Sequence, residues 1–268
     1  MDLNFVMALG IGDMLISWGA LEGVKHEYEK IHIFPCWEII TSYRNNRHDY
    51  RQFVLDFAKL IFTDEKYVIH AENSTKCSDV KHVTELGIPC RVPRAQNLLC
   101  DSNHYLSKPY IVIPTKIRGC NRSTYNMLKD RFYEALNRVS DRYDIVILGE
   151  REVQMNAEYV HLGNNLIYGI YNDIVSCVKK IVDLSIPKLG IDIPDLNNLR
   201  KDCSIMRDAR SVITFGNSGG FSLSSAVINH QISYRDDLDT WIYHLYLQQQ
   251  EIVTCTDVNT FINAIDAL

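Results

Sequence analysis

The sequence predicts an α/β protein built from parallel sheets in two halves. Three observations carry that prediction. Short apolar runs alternate with longer stretches of helical periodicity, so that strand and helix succeed one another along the chain. Two corners, one near each end, read as buried strand, glycine turn and helix: Leu3–Leu21 and Ser211–Val227. Between the halves, Ala71–Asp101 loses periodicity, and Pro93 and the polar run Asp101-Ser102-Asn103 suit a linker.

In chain order, Leu3–Leu9 reads as the first buried strand and ends at Gly10-Ile11-Gly12-Asp13. Met14–Leu21 then opens an apolar helix, with Asp13 near its N-terminal cap. Ile31–Phe34 is a second strand closed by Pro35, and Tyr67–His70 a short third one. Between them Phe53, Val54, Phe57, Leu60 and Ile61 recur at helical spacing. Val80–Leu86 is compatible with a helix. A new strand begins at Tyr110 (Y-I-V-I-P-T), followed by a helix from about Ser123 to Val139 and the strand Asp144–Leu148. Residues 159–182 are ambiguous. Leu196–Ala209 reads as a helix before the strand at Val212–Phe215, Ile232–Tyr234 as the last strand, and Leu238–Gln250 and Val258–Leu268 as closing helices. Strand–helix alternation implies parallel strands with helices on both faces. Two Rossmann-like halves, 1–105 and 106–268, fit the spacing.

Composition narrows the function. With 268 residues and a hydrophobic fraction of 46%, the chain can bury a sizeable core. A net charge of −5 with both signs well mixed does not make the basic footprint of a nucleic-acid binder. The eight cysteines form no C-x-x-C pair, and the residues after Met1 lack a secretory pattern, so reduced thiols and a cytoplasmic setting are expected. No apolar run approaches the roughly 18 residues of a membrane span; peripheral contact with a membrane stays open.

Ligands of open α/β sheets bind outside the carboxyl ends of the strands. That rule selects four segments: 10–13, 115–122, 149–152 and 216–220. Asp13, beside Gly12 at a strand end, suits a general base for a substrate hydroxyl, or a cap for the first helix. Lys116 and Arg118 suit phosphate binding, or are solvated loop cations. Glu150 suits the hydroxyls of a ribose, or a charged loop. The turn Asn217-Ser218-Gly219-Gly220 opens a helix whose N-terminus favours an anion. His70 ends a strand and either faces the cleft or serves the structure. No H-E-x-x-H occurs among the nine histidines, so no metal site is expected. The absence of G-x-G-x-x-G and G-x-x-x-x-G-K-[ST] argues against a dinucleotide fingerprint and a P-loop.

Four of these segments together resemble a known family. G-I-G-D-M-L-I-S-W-G-A-L (10–21), Y-I-V-I-P-T-K (110–116), D-I-V-I-L-G-E (144–150) and I-T-F-G-N-S-G-G-F-S-L-S-S-A-V (213–227) are similar, in this order, to the heptosyltransferase-like glycosyltransferases of family 9. The resemblance implies a GT-B architecture, two facing Rossmann-like domains with the nucleotide sugar on the C-terminal one and a glycan or glycoconjugate acceptor on the N-terminal one, where Gly12 and His70 lie. It implies an inverting transfer with no metal or other cofactor, Asp13 as base, Lys116 at the phosphates with Arg118 beside it, Ser218–Gly220 as the diphosphate turn, and Glu150 and Asn217 toward ribose or base. Asn217 stands where the family usually has an acid, and Phe221-Ser222-Leu223 where a histidine follows the glycines. A nucleotide-sugar epimerase using His70 or Glu150, and a binding protein that kept the fold without the chemistry, are the alternatives.

Overall fold

The computed structural model describes residues 1–8, 10–37, 48–72, 80–81, 83–86, 94–100, 106, 109–118, 122–151, 167–187, 195–215, 219–227, 230–234 and 252–268. The N-terminal elements are β1 (Leu3–Met7), α1 (Ile11–Val24), β2 (Ile31–Pro35), α2 (His48–Ile61), β3 (Tyr67–Ile69) and β4 (Val80–Lys81). Their strands form a parallel sheet in the order β3-β2-β1-β4. The C-terminal elements are β5 (Tyr110–Pro114), β6 (Lys116–Arg118), α3 (Arg122–Val139), β7 (Asp144–Leu148), β8 (Ile167–Gly169), α4 (Tyr171–Cys177), β9 (Ile181–Asp183), α5 (Leu196–Asp208), β10 (Ser211–Phe215), α6 (Gly219–Val227), β11 (Gln231–Tyr234), β12 (Ile252–Cys255) and α7 (Val258–Asp266).

Six of these strands make a parallel sheet in the order β12-β11-β10-β5-β7-β9. Counted along the chain and read from the β9 edge, that is third, second, first, fourth, fifth, sixth, the order of a Rossmann fold. The central strands are apolar throughout because both faces are covered. Side-chain alternation divides them between two cores. Ile111, Ile113, Ile145, Ile147, Ile213 and Phe215 face α3, α4 and α7, where Phe132, Phe215 and Phe261 pack ring to ring. Tyr110, Val112, Val146, Leu148 and Val212 face the other way and share a core with the N-terminal half.

That shared core explains α1. Met14 to Leu21 are buried without interruption, and Val24 with them. A helix apolar all round is buried all round, and α1 lies between its own sheet and α6, which in turn packs on α5. Backbone and side-chain hydrogen bonds cross beside it: Ala95 N–H donates to the Ala226 carbonyl at 2.9 Å, and Cys100 N–H to Ser204 Oγ at 2.8 Å. No helix among the described residues is long and apolar enough to cross a membrane.

The structure departs from the sequence reading at several points. Val80–Lys81 form a two-residue strand and Val83–Glu85 a 3-10 turn, where the sequence suggests a helix. The first helix begins at Ile11 with Gly10 as its cap, so Asp13 lies inside its first turn. β11 is not the last strand, since β12 extends the sheet beyond it. β6 and β8 pair antiparallel, apart from the parallel sheets. The expected helix 238–250 lies outside the described residues.

Candidate functional site

The strand order places the site. β5 and β10 are neighbours, and the chain leaves them toward opposite edges of the sheet, so the crevice at their carboxyl ends is the switch point where such sheets bind ligands. After β5 come Thr115 and Lys116; after β10 comes α6, whose first residues are Gly219 and Gly220. The first turn of a helix has N–H groups without intrahelical acceptors and a partial positive charge. Gly219 and Gly220 thus stand inside the helix rather than in a turn before it. Gly216, Asn217 and Ser218 lie outside the described residues.

Thr115 joins the ends of two strands. It is fully buried, its N–H donates to the Leu148 carbonyl at 2.9 Å, and its hydroxyl donates to the Glu150 carbonyl at 2.7 Å. Gly149, between those acceptors, has φ +102°, and a Cβ there would lie 2.7 Å from Thr115 Oγ1. Only glycine meets both demands. The chain then continues as an extension of β7: Ile186 N–H donates to the Gly149 carbonyl and Arg151 N–H to the Ile186 carbonyl. On this latched backbone Lys116 Nζ and Glu150 Oε2 sit 2.8 Å apart, with 32% and 19% of their side chains exposed. β6 holds Lys116 opposite Gly169 in the β6–β8 ribbon, anchored by buried Ile117. Arg118 closes β6; its side chain lies outside the described residues.

A second polar group borders Glu150. Arg151 donates from Nε to Ser185 Oγ at 3.1 Å, lies 3.3 Å from Asp183 Oδ2, and stacks over the Tyr171 ring at 5.7 Å. Tyr171 donates its hydroxyl to Asp183 at 2.8 Å. Burial pushes the Asp183 carboxyl up, but the bonds from Ser185 and Tyr171 and the charge of Arg151 outweigh it and hold it below the usual range. The sequence shows Arg151 only as a charged residue between Glu150 and Glu152. Its partners Tyr171, Asp183 and Ser185 come from a stretch without clear periodicity and from the edge strand β9.

In the N-terminal half, Asp13 is the third residue of α1 and Gly12 the second. The Asp13 carboxylate folds back over Gly10, where a Cβ would meet Oδ2 at 2.5 Å. A side chain at residue 10 would therefore displace the Asp13 carboxylate. Asp13 stands at the carboxyl edge of the first sheet, on the helix that packs against α6. His70 is not brought to these residues by any contact. Its ring stacks on Phe34 at 4.3 Å and its Nε2 lies 3.0 Å from His32 Nδ1. Burial lowers its proton affinity, His32 lowers it further, and Glu72 opposes both.

No protein-family model matches the chain, and no curated protein is similar to it in sequence. Solved structures are similar to it in fold. The dodecameric iron-containing heptosyltransferase TibC, solved with ADP-D-beta-D-heptose, superposes with a TM-score of 0.55 over 94% of this chain at 12% identity. The chain spans 63% of the TibC chain. The ADP-heptose lipopolysaccharide heptosyltransferase II of E. coli superposes with a TM-score of 0.51 at 11% identity, over 100% of this chain and 99% of that one. The fold is GT-B. In GT-B terms the Rossmann-ordered sheet, with Lys116, Glu150 and the start of α6 at its carboxyl edge, is the C-terminal unit, and the sheet that ends at Gly10–Asp13 is the N-terminal one. At these identities the likeness concerns the fold; the site rests on the geometry above.

Proposed function

We propose that the chain is an inverting glycosyltransferase that moves a sugar from a nucleotide diphosphate sugar to a hydroxyl of a glycan or glycoconjugate, without a metal. The observation that carries this reading is the pairing of a cation, Lys116, with a helix N-terminus, Gly219, at one topological switch point. Two such features on one crevice suit a diphosphate. Glu150 stands just past the end of the second strand of its sheet, where mononucleotide-binding folds place the acid that receives ribose hydroxyls. Residues 1–105 would then hold the acceptor and 106–268 the donor.

Chemistry follows from these positions. The acceptor oxygen attacks the anomeric carbon from the face opposite the diphosphate, and the bond from that carbon to the diphosphate oxygen breaks. Asp13 takes the hydroxyl proton. The charge that develops on the leaving diphosphate meets the Lys116 ammonium and the N–H groups of Gly219 and Gly220. Lys116 has three donors, so it can hold Glu150 and still reach a phosphate oxygen. The epimerase alternative loses support because His70 is engaged by Phe34 and His32. Both solved neighbours are named for ADP-heptose, which makes ADP the first ligand to try.

The test is calorimetric titration with ADP, UDP, GDP and dTDP, then product analysis with the corresponding sugars. Binding of one diphosphate at micromolar to low millimolar concentration and net sugar transfer are expected. Absence of binding by all four at millimolar concentration refutes the reading.

A further inference from the structure

The proposed donor site has an outer end that the mechanism does not use. Glu150 and Arg151 are consecutive residues just past the end of β7. Glu150 turns to Lys116 at the inner crevice, and Arg151 turns to Tyr171, the first residue of α4. The Arg151 guanidinium is fixed: its nitrogens are engaged by Ser185 Oγ, the Ser185 carbonyl and Asp183, and its Cζ lies over the Tyr171 ring, 5.7 Å from the ring centre. Yet 40% of the side chain remains exposed. A guanidinium held in place through its nitrogens with that much surface open can receive a further aromatic ring, since guanidinium planes stack on such rings. It lies one residue beyond the acid assigned to ribose, past the carboxyl ends of β7 and β9.

We propose that the Arg151–Tyr171 stack is the platform on which the donor's nucleobase lies, read by its face and not by its edge. The assignment rests on the donor-site reading above. Tyr171 and Asp183 hold the guanidinium plane in place before the base arrives, which spares the ordering of a long side chain on binding. The geometry fits a nucleoside diphosphate whose phosphates sit at Lys116, whose ribose meets Glu150, and whose base covers Arg151.

The experiment compares ADP with ribose 5-diphosphate, which lacks the base, by calorimetry on the wild type, Arg151→Ala and Arg151→Lys. A base–side-chain stack changes affinity by about tenfold or more. Wild type is expected to bind ADP at least about tenfold more tightly than ribose 5-diphosphate. Arg151→Ala should erase that preference while its affinity for ribose 5-diphosphate stays within about twofold. Arg151→Lys, which keeps the charge beside Asp183 but not the plane, should not restore it. Equal wild-type affinity for the two ligands overturns the platform and leaves the donor site standing. An equal loss for both ligands in Arg151→Ala also overturns it, because it marks a structural role. Failure of the wild type to bind either ligand overturns the platform, and the donor site falls with it only if UDP, GDP and dTDP fail to bind as well.

Discussion

Asp202 offers a prediction that needs no substrate. It lies on α5 beside fully buried Cys203, and among the described residues no hydrogen bond or ion pair holds its carboxylate. Burial pushes its pKa from 3.8 up to about 7. A carboxyl that binds its proton more tightly in the folded state stabilises the fold at low pH. That contribution is lost as the pH rises from about 4 through 7, because the unfolded chain ionises first. Each tenfold change in proton affinity is worth about 1.4 kcal/mol, so the displacement amounts to about 4 kcal/mol. The side chain is only partly buried, and solvent screening makes this an upper figure. Asp202→Asn removes the titration and keeps the shape. Urea unfolding followed by tryptophan fluorescence, for both proteins at pH 4 to 8, is the assay. The variant should gain on the wild type progressively with pH, by up to about 4 kcal/mol at pH 8. A difference that stays constant across this range refutes the reasoning, since it would mean that Asp202 ionises alike folded and unfolded.

The remaining predictions concern the site. Asp13→Asn should lower sugar transfer by about a hundredfold or more, as for loss of a general base, with diphosphate affinity within about twofold; full transfer activity removes Asp13 from that role. Lys116→Ala should weaken nucleotide diphosphate binding by about 1.5–3 kcal/mol, and unchanged calorimetric affinity places the phosphates elsewhere. Gly149→Ala should cost about 1–3 kcal/mol in thermal unfolding, since the new methyl meets Thr115 and φ stays positive; an unaltered midpoint refutes the latch between β5 and β7.

The strands buried on both faces are legible in the sequence almost to the residue. Asp144–Leu148 is as read, and β5 ends at Pro114, one residue short of the apolar run. A parallel strand covered on both sides has to be a short unbroken apolar run, which leaves little room for another reading. The edges are not legible in this way. β9 is half-buried at all three residues, and α4 buries only Ile174, so neither carries the periodicity that marks an element. β12, the opposite edge, also goes unread. In the site, Lys116 and Glu150 stand out because they follow clear strands. Their pairing does not, because it depends on β5 lying beside β7 and on the Thr115 hydroxyl, neither of which a linear pattern contains. The Arg151 cluster draws on three separate segments and leaves no local signal at all.

α1 bears on how such a molecule moves. Two-domain transferases are commonly pictured as jaws that part to admit substrate. Here the helix that carries Asp13 is wrapped in apolar contacts from both halves, through its own sheet on one side and α6 on the other. Parting the jaws would bring Met14 to Leu21 partly into water, against about 25 cal/mol for each Å² of apolar surface uncovered. Rolling α1 along α6 uncovers far less. Parting of the two halves is thus opposed by the burial of α1 itself.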